Sequence, residues 1–144
     1  MRTEVMSDYI GIAAQALPLL RDNLSVTTDW VDMAKWQRVM FIVQVGATDI
    51  TVNAKLQSAD DAAGTNPLDI PGKATSQWGA TDDNKIKILN VSKDELNEGD
   101  VAVACIVTIA DGTLGANVSV VALGIPHFVP PEYVDLAAVA QIVE

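Results

Sequence analysis

Two stretches read as continuous apolar runs stopped by turn residues: RVMFIVQVG, from Arg38 to Gly46, and VAVACIVTIA, from Val101 to Ala110, followed by Asp111-Gly112. Both fall far short of the ~20 residues a membrane span needs. Bounded by turn residues, runs of this length favour strands over helices. Around them the pattern alternates. ITVNAKLQS sets Val52, Ala54 and Leu56 on one face and Thr51, Asn53, Lys55 and Gln57 on the other. NKIKILNV sets Ile86 and Ile88 opposite Lys85 and Lys87, so the isoleucines are expected inside. NVSVVALGI, Asn117 to Ile125, begins by alternating and then becomes fully apolar. A period of two buries one face of a strand and wets the other. Strands of that kind belong to antiparallel sheets, typically packed as sandwiches. The expected fold is mainly β: an antiparallel β-sandwich, jelly-roll-like or immunoglobulin-like, with short terminal arms.

The connections fit this reading. Ala47 to Asp49 is short enough for a hairpin, and ADGTLGA (Ala110 to Ala116) is a second hairpin candidate with two glycines free to take positive φ. Ser58 to Asp83 is long and polar, which predicts a loop with room for a short strand around Ala74 to Trp78. In SKDELNEGD, Ser92 followed by Glu95 forms a capping-box signature for a short helical turn across one end of the sandwich. Residues 1–24 contain the helix-compatible TEVMSDYIGIAAQAL and read as an N-terminal arm. Residues 25–129 read as the sandwich domain, and residues 130–144 as a C-terminal tail.

Charge narrows the function. The 19 acidic residues against 9 basic give a net charge of -10, without the Lys/Arg cluster that a phosphate backbone requires. Nucleic acid and anionic lipid are therefore not expected partners. The hydrophobic fraction of 49% argues against a disordered chain. No secretory signal is visible, since acidic residues precede an apolar stretch broken by Gln15 and Pro18.

The search for chemistry ends without a reaction centre. His127 is the one histidine and Cys105 the one cysteine, so a zinc site of three or four Cys/His ligands is not available. Cys105 sits in an apolar run and reads as a small core hydrophobe. His127, between Pro126 and Phe128, reads as the point where the last strand leaves its domain. Asp60-Asp61 and Asp82-Asp83 lack EF-hand spacing and read as loop carboxylates. GTLGA is followed by neither a helix pattern nor a Lys-Ser/Thr pair, so it is no phosphate cradle. Neither a cofactor nor a metal is expected. What stands out instead are apolar anchors for an interface. Trp30 and Trp36 precede the first strong strand at even spacing, Trp78 lies in the long loop, and Phe128, Tyr133 and Leu136 lie at the C-terminal end.

Four separated pieces complete the reading: VDMAKWQRVMFIVQVGA, KLQSADD, SKDEL and ALGIPHFVPP. Together they resemble a group of small structural proteins of tailed bacteriophages, encoded in the head module near the major capsid protein. Gln57 to Asp61 and Leu123 to His127 carry the signatures, with His127 where arginine is common. The strand after SKDEL departs from the pattern, reading DVAVACIVT where the relatives carry Tyr and Arg. The likeness covers about residues 25 to 131. It implies a sandwich subunit on the capsid exterior of a virion, assembled in the host cytoplasm. The partners implied are the major capsid protein and further copies of the chain, as a trimer or dimer, with no catalysis. A neck, tail or fibre-base component, or a glycan-binding sandwich with tryptophan platforms, are the alternatives.

Overall fold

A computed structural model describes Met6, residues 9–79 and residues 81–127. Nine strands carry the architecture: β1 Gly11–Arg21, β2 Leu24–Thr27, β3 Val31–Asp32, β4 Trp36–Thr48, β5 Val52–Ala59, β6 Leu68–Ala74, β7 Ile86–Ser92, β8 Ala102–Ile109 and β9 Ala116–Pro126. They form two antiparallel sheets. One has the order β1-β9-β4-β7, the other β2-β8-β5-β6, with β3 also pairing β8. Strands adjacent in sequence mostly fall in opposite sheets, which is the doubled Greek key of a jelly roll. The immunoglobulin arrangement does not have this order.

The inner faces supply the core. Val39, Phe41, Val43 and Val45 of β4 and Val118, Val120 and Ala122 of β9 come from one sheet, Val52, Ala54 and Leu56 of β5 and Val103, Cys105, Val107 and Ile109 of β8 from the other, and all share one buried cluster. The two apolar runs became β4 and β8, and the alternation of ITVNAKLQS holds, with Val52, Ala54 and Leu56 inside. The Ser92 to Glu95 turn forms as expected, with Glu95 accepting the Ser92 N–H at 2.9 Å, and it leads from β7 in one sheet to β8 in the other.

Four expectations are corrected. The Ala47–Asp49 and Ala110–Ala116 connections are not hairpins. Each passes from one sheet to the other, because β4 and β9 share a sheet that excludes β5 and β8. The N-terminal arm ends well before residue 24, since Gly11–Arg21 pairs with β9 as a full sheet member. Its Ala, Gln and Leu content favours a helix, but pairing along β9 overrides that preference. In β7 the inner positions are Leu89 and Val91, leaving Ile86 and Ile88 more than half exposed. Finally, the fully apolar end of NVSVVALGI does not break the alternation: β9 keeps it from Ala116 to Pro126, with Val121, Leu123 and Ile125 facing outward.

Candidate functional site

The register places the four resemblance-bearing pieces together. Arg38 is opposite Ser92 and Ile125, Trp36 is opposite Pro126, and Ala59 is opposite Ala102. The entry to β4, the end of β5, the Ser92 turn and the end of β9 therefore share one pole of the sandwich. Backbone bonds knit them: Met33 N–H to Val101 O at 2.9 Å, Val101 N–H to Ala59 O at 3.0 Å, and His127 N–H to Lys35 O at 3.0 Å. Gly11 pairs with Gly124, so the described chain also enters the sandwich at this pole.

Side chains explain why these residue types recur there. Trp36 is buried, and its ring lies on Gly124: a Cβ at that position would sit 2.4 Å from the ring. The glycine of the LGIP piece thus makes room for the aromatic of the opening strand. Trp30 uses Gly64 in the same way, with a Cβ there falling 2.2 Å from the indole nitrogen. Ser58 of the LQSADD piece is fully buried and takes two N–H donations from Asn97, from the backbone at 3.2 Å and from the side chain at 2.7 Å. Its own hydroxyl donates to the Asp100 carboxylate in a short bond. A buried polar group satisfied this completely pins the 96–100 loop to β5. With its oxygen engaged by three polar partners and no surface exposed, Ser58 is not placed as a nucleophile.

The tryptophans divide. Trp30 is half-buried at the pole and lines, with Trp36, Ala62 and Lys35, a cleft of about 250 Å³. The even spacing of Trp30 and Trp36 does not put both on one face, because β3 and the Met33–Lys35 turn break the extended chain between them. Trp36, at 3% exposure, and Trp78, at 1%, are core residues with no area left to offer a partner. Trp78 is not a loop anchor, because its N–H bonds to Val52 O at 2.9 Å and draws the ring into the sandwich. The Lys87 ammonium sits 4.4 Å from the centroid of that ring. Neither indole can act as a glycan platform. Phe128, Tyr133 and Leu136 lie outside the described residues.

Cys105 is fully buried, and desolvation pushes its thiol up to about 12, so it stays protonated and inert. His127 is exposed at the strand exit. Among the described residues no three His, Cys, Asp or Glu side chains are grouped to hold a metal ion, and no helix is long and apolar enough to cross a membrane.

The outward positions of the β1-β9-β4-β7 sheet were missed by sequence reasoning. Ile42, Ile88 and Val121 form one cross-strand row, and Met40, Leu123 and Ile12 form the next. The hidden signal lay in composition, since these four strands contain no Asp or Glu in a chain of net charge -10.

No family model matches the chain, and no curated protein matches it. Among solved structures, the chain is similar to the enzymatically active domain of tailspike protein 4 of bacteriophage CBA120. That likeness has a TM-score of 0.43 and 11% identity, and covers 75% of this chain and 15% of that one. The chain thus spans about 15% of that structure's length. At this level the likeness carries no argument about function.

Proposed function

We propose that the chain is a virion structural protein that decorates the outside of a bacteriophage capsid and bridges neighbouring shell subunits. One observation carries the reading. Four sequence pieces spread from Val31 to His127, which resemble phage head proteins, meet at a single pole as a tightly hydrogen-bonded unit. That pole is the docking end. The described chain enters and leaves there, at Tyr9 and at His127, so segments beyond the sandwich start beside the surface to be bound.

The chemistry fits binding without catalysis. Ser58 is saturated, Cys105 is sealed in the core, and among the described residues no carboxylate pairs with His127. A net charge of -10 limits adhesion to DNA while shells are filled. Many copies on a lattice let individually weak contacts sum. The test mixes purified protein with undecorated, expanded capsids. Sedimentation with the shells, in hundreds of copies per particle, and a higher disruption temperature are expected. Failure to bind any capsid form rejects the proposal, and a copy number of a dozen or fewer moves the chain to the neck or tail.

A further inference from the structure

Among the described residues, none covers the outer face of the β1-β9-β4-β7 sheet. Val121 is 39% exposed, Ile125 47%, Ile86 52% and Ile88 53%, and Met40, Ile42 and Leu123 are half-buried beside them. Arg38 is the one charge at an outward position of β4, β7 or β9. Towards the docking pole the face deepens into a groove of about 510 Å³, with Met40, Leu123, Ile125 and Ile10 on its apolar side and Arg38, Lys73, Asp94 and Glu95 at its charged end. Contiguous apolar surface of this kind marks a contact site.

Charge selects the occupant. The chain carries 19 carboxylates, and elsewhere on the surface a contact between copies would set like charges against each other. The four strands of this sheet carry none, and the two carboxylates at the groove end, Asp94 and Glu95, lie beside Arg38 and Lys73, with Glu95 paired to Lys73 at 2.6 Å, so here two copies meet with little of that repulsion. Area agrees. Strand spacing of about 4.8 Å and a rise of about 3.3 Å per residue give the face a projection on the order of 450 Å². That is a little over half of the ~800 Å² per partner of a standard interface, the size of a weak, reversible contact. Sheets also pack face to face readily, at about 10 Å separation and about 30°. A single patch that meets itself requires a two-fold axis.

We propose that this face is a self-association surface, on which a second copy of the chain packs about a two-fold axis near the seam between Ile42 and Val121. The inference is independent of capsid docking, which uses the pole.

Sedimentation equilibrium of the full chain decides it. The wild type is expected at twice the chain mass of 15.3 kDa. Ile88→Glu combined with Val121→Glu should weaken association by about 100-fold or more, because each charge would be buried without a partner. Thr108→Glu, on the outer side of the other sheet, should leave the dimer intact. Val121→Cys covers the case in which the double variant fails to fold. Cys105 is sealed, so the new thiol is the reactive one, and a short bismaleimide should link two copies through it. A wild type that stays monomeric at its highest soluble concentration overturns the proposal, whether another part of the chain or a capsid subunit then covers the face. So does a trimer, or a Val121→Cys protein that folds but does not cross-link. Capsid binding is scored separately, so loss of one result leaves the other legible.

Discussion

The two sheets are alike inside and opposite outside. Both inner faces are built from fully buried Val, Leu, Phe and Ala. The outer side of β2-β8-β5-β6 is closed by polar pairs: Ser25 with Thr108 at 3.2 Å, and Asp69 accepting from Lys55 at 2.9 Å and from Gln57 at 2.7 Å. Apolar residues do occur on that side, but Ala59, Ala102, Ala104 and Ile106 are covered to 9% exposure or less, with the longer Gln57 beside Ala104 and Lys55 beside Ile106. The outer side of β1-β9-β4-β7 instead leaves isoleucine and valine in water. Folding demands the inner faces, and solubility favours the polar outer face. Neither demands an apolar outer face free of carboxylates, so that difference records a contact outside the fold.

The largest expected effects test the likeness of the inner faces. Phe41→Ala in β4 should cost about 3–5 kcal/mol and Leu56→Ala in β5 about 2–5 kcal/mol, by lost transfer energy plus the cavity left behind. Both side chains are at 0% exposure. Chemical denaturation of each variant measures this. A cost below about 1 kcal/mol at either site would show that one inner face is not close-packed, and the symmetry of the comparison would fail.

A smaller effect is expected where the two outer faces meet the docking pole. Gly124→Ala puts a methyl against the Trp36 ring, at a separation that no real Cβ contact tolerates. Overpacking of this kind costs about 1–3 kcal/mol. Trp36→Phe in the same chain should recover part of the loss, because the smaller ring relieves the clash, and a double-mutant cycle reads the coupling. Additive costs would mean that Gly124 is required for a reason other than the indole.

Much of this architecture was legible in the sequence, and the misses share a cause. The period of two in ITVNAKLQS and the capping pair Ser92/Glu95 are local signals, and each was read correctly. In NKIKILNV the isoleucines looked like the buried set, yet the phase is fixed by Leu89 and Val91 further on. Lys87 shares their inner parity and is tolerated there, largely covered, because its ammonium reaches the Ser76 and Gln77 carbonyls at 3.0 and 3.1 Å and the Asp82 carboxylate at 3.2 Å. A four-carbon stem makes that snorkelling possible, and no local pattern reveals it. Connections behave likewise. Ala47–Asp49 is as short as a hairpin loop, and only the pairing of β4 with β9 and of β5 with β8 shows that it crosses between sheets. Trp78 looked exposed because its neighbours are polar, but its isolated bridge to Val52 is a contact across 26 positions of sequence. At the candidate site, the pole was partly visible as a set of familiar pieces. The apolar outer face was not, because it depends on which residues of two strands lie side by side.

Acid should pull the two outer faces in opposite directions. On the polar face, the hydrogen bond from Lys55 and then that from Gln57 hold Asp69 below its ordinary value of 3.8. A lowered pKa means the folded state prefers the charged form. Its contribution is therefore complete above the ordinary value and is lost as pH falls through the folded one. The pair is surface-exposed, so the contribution is at most about 1 kcal/mol, and Asp69→Asn should remove it and flatten the acid limb by that amount. On the apolar face the four strands hold no carboxylate, and the two at the groove end, Asp94 and Glu95, are held below their ordinary values, Asp94 first by the Ser92 hydrogen bond and Glu95 first by Lys73. Lowering the pH from 7 towards 4.5 instead begins to neutralise carboxylates elsewhere and reduces the mutual repulsion of two chains of charge -10. Self-association should therefore tighten modestly over the range in which the stability of each subunit has not yet begun to fall. Sedimentation at stepped pH measures it. If association weakened instead, and still did so with Asp94→Asn and Glu95→Gln in place, a charged carboxylate elsewhere would have to lie in the contact, and the apolar face could not be where the copies meet.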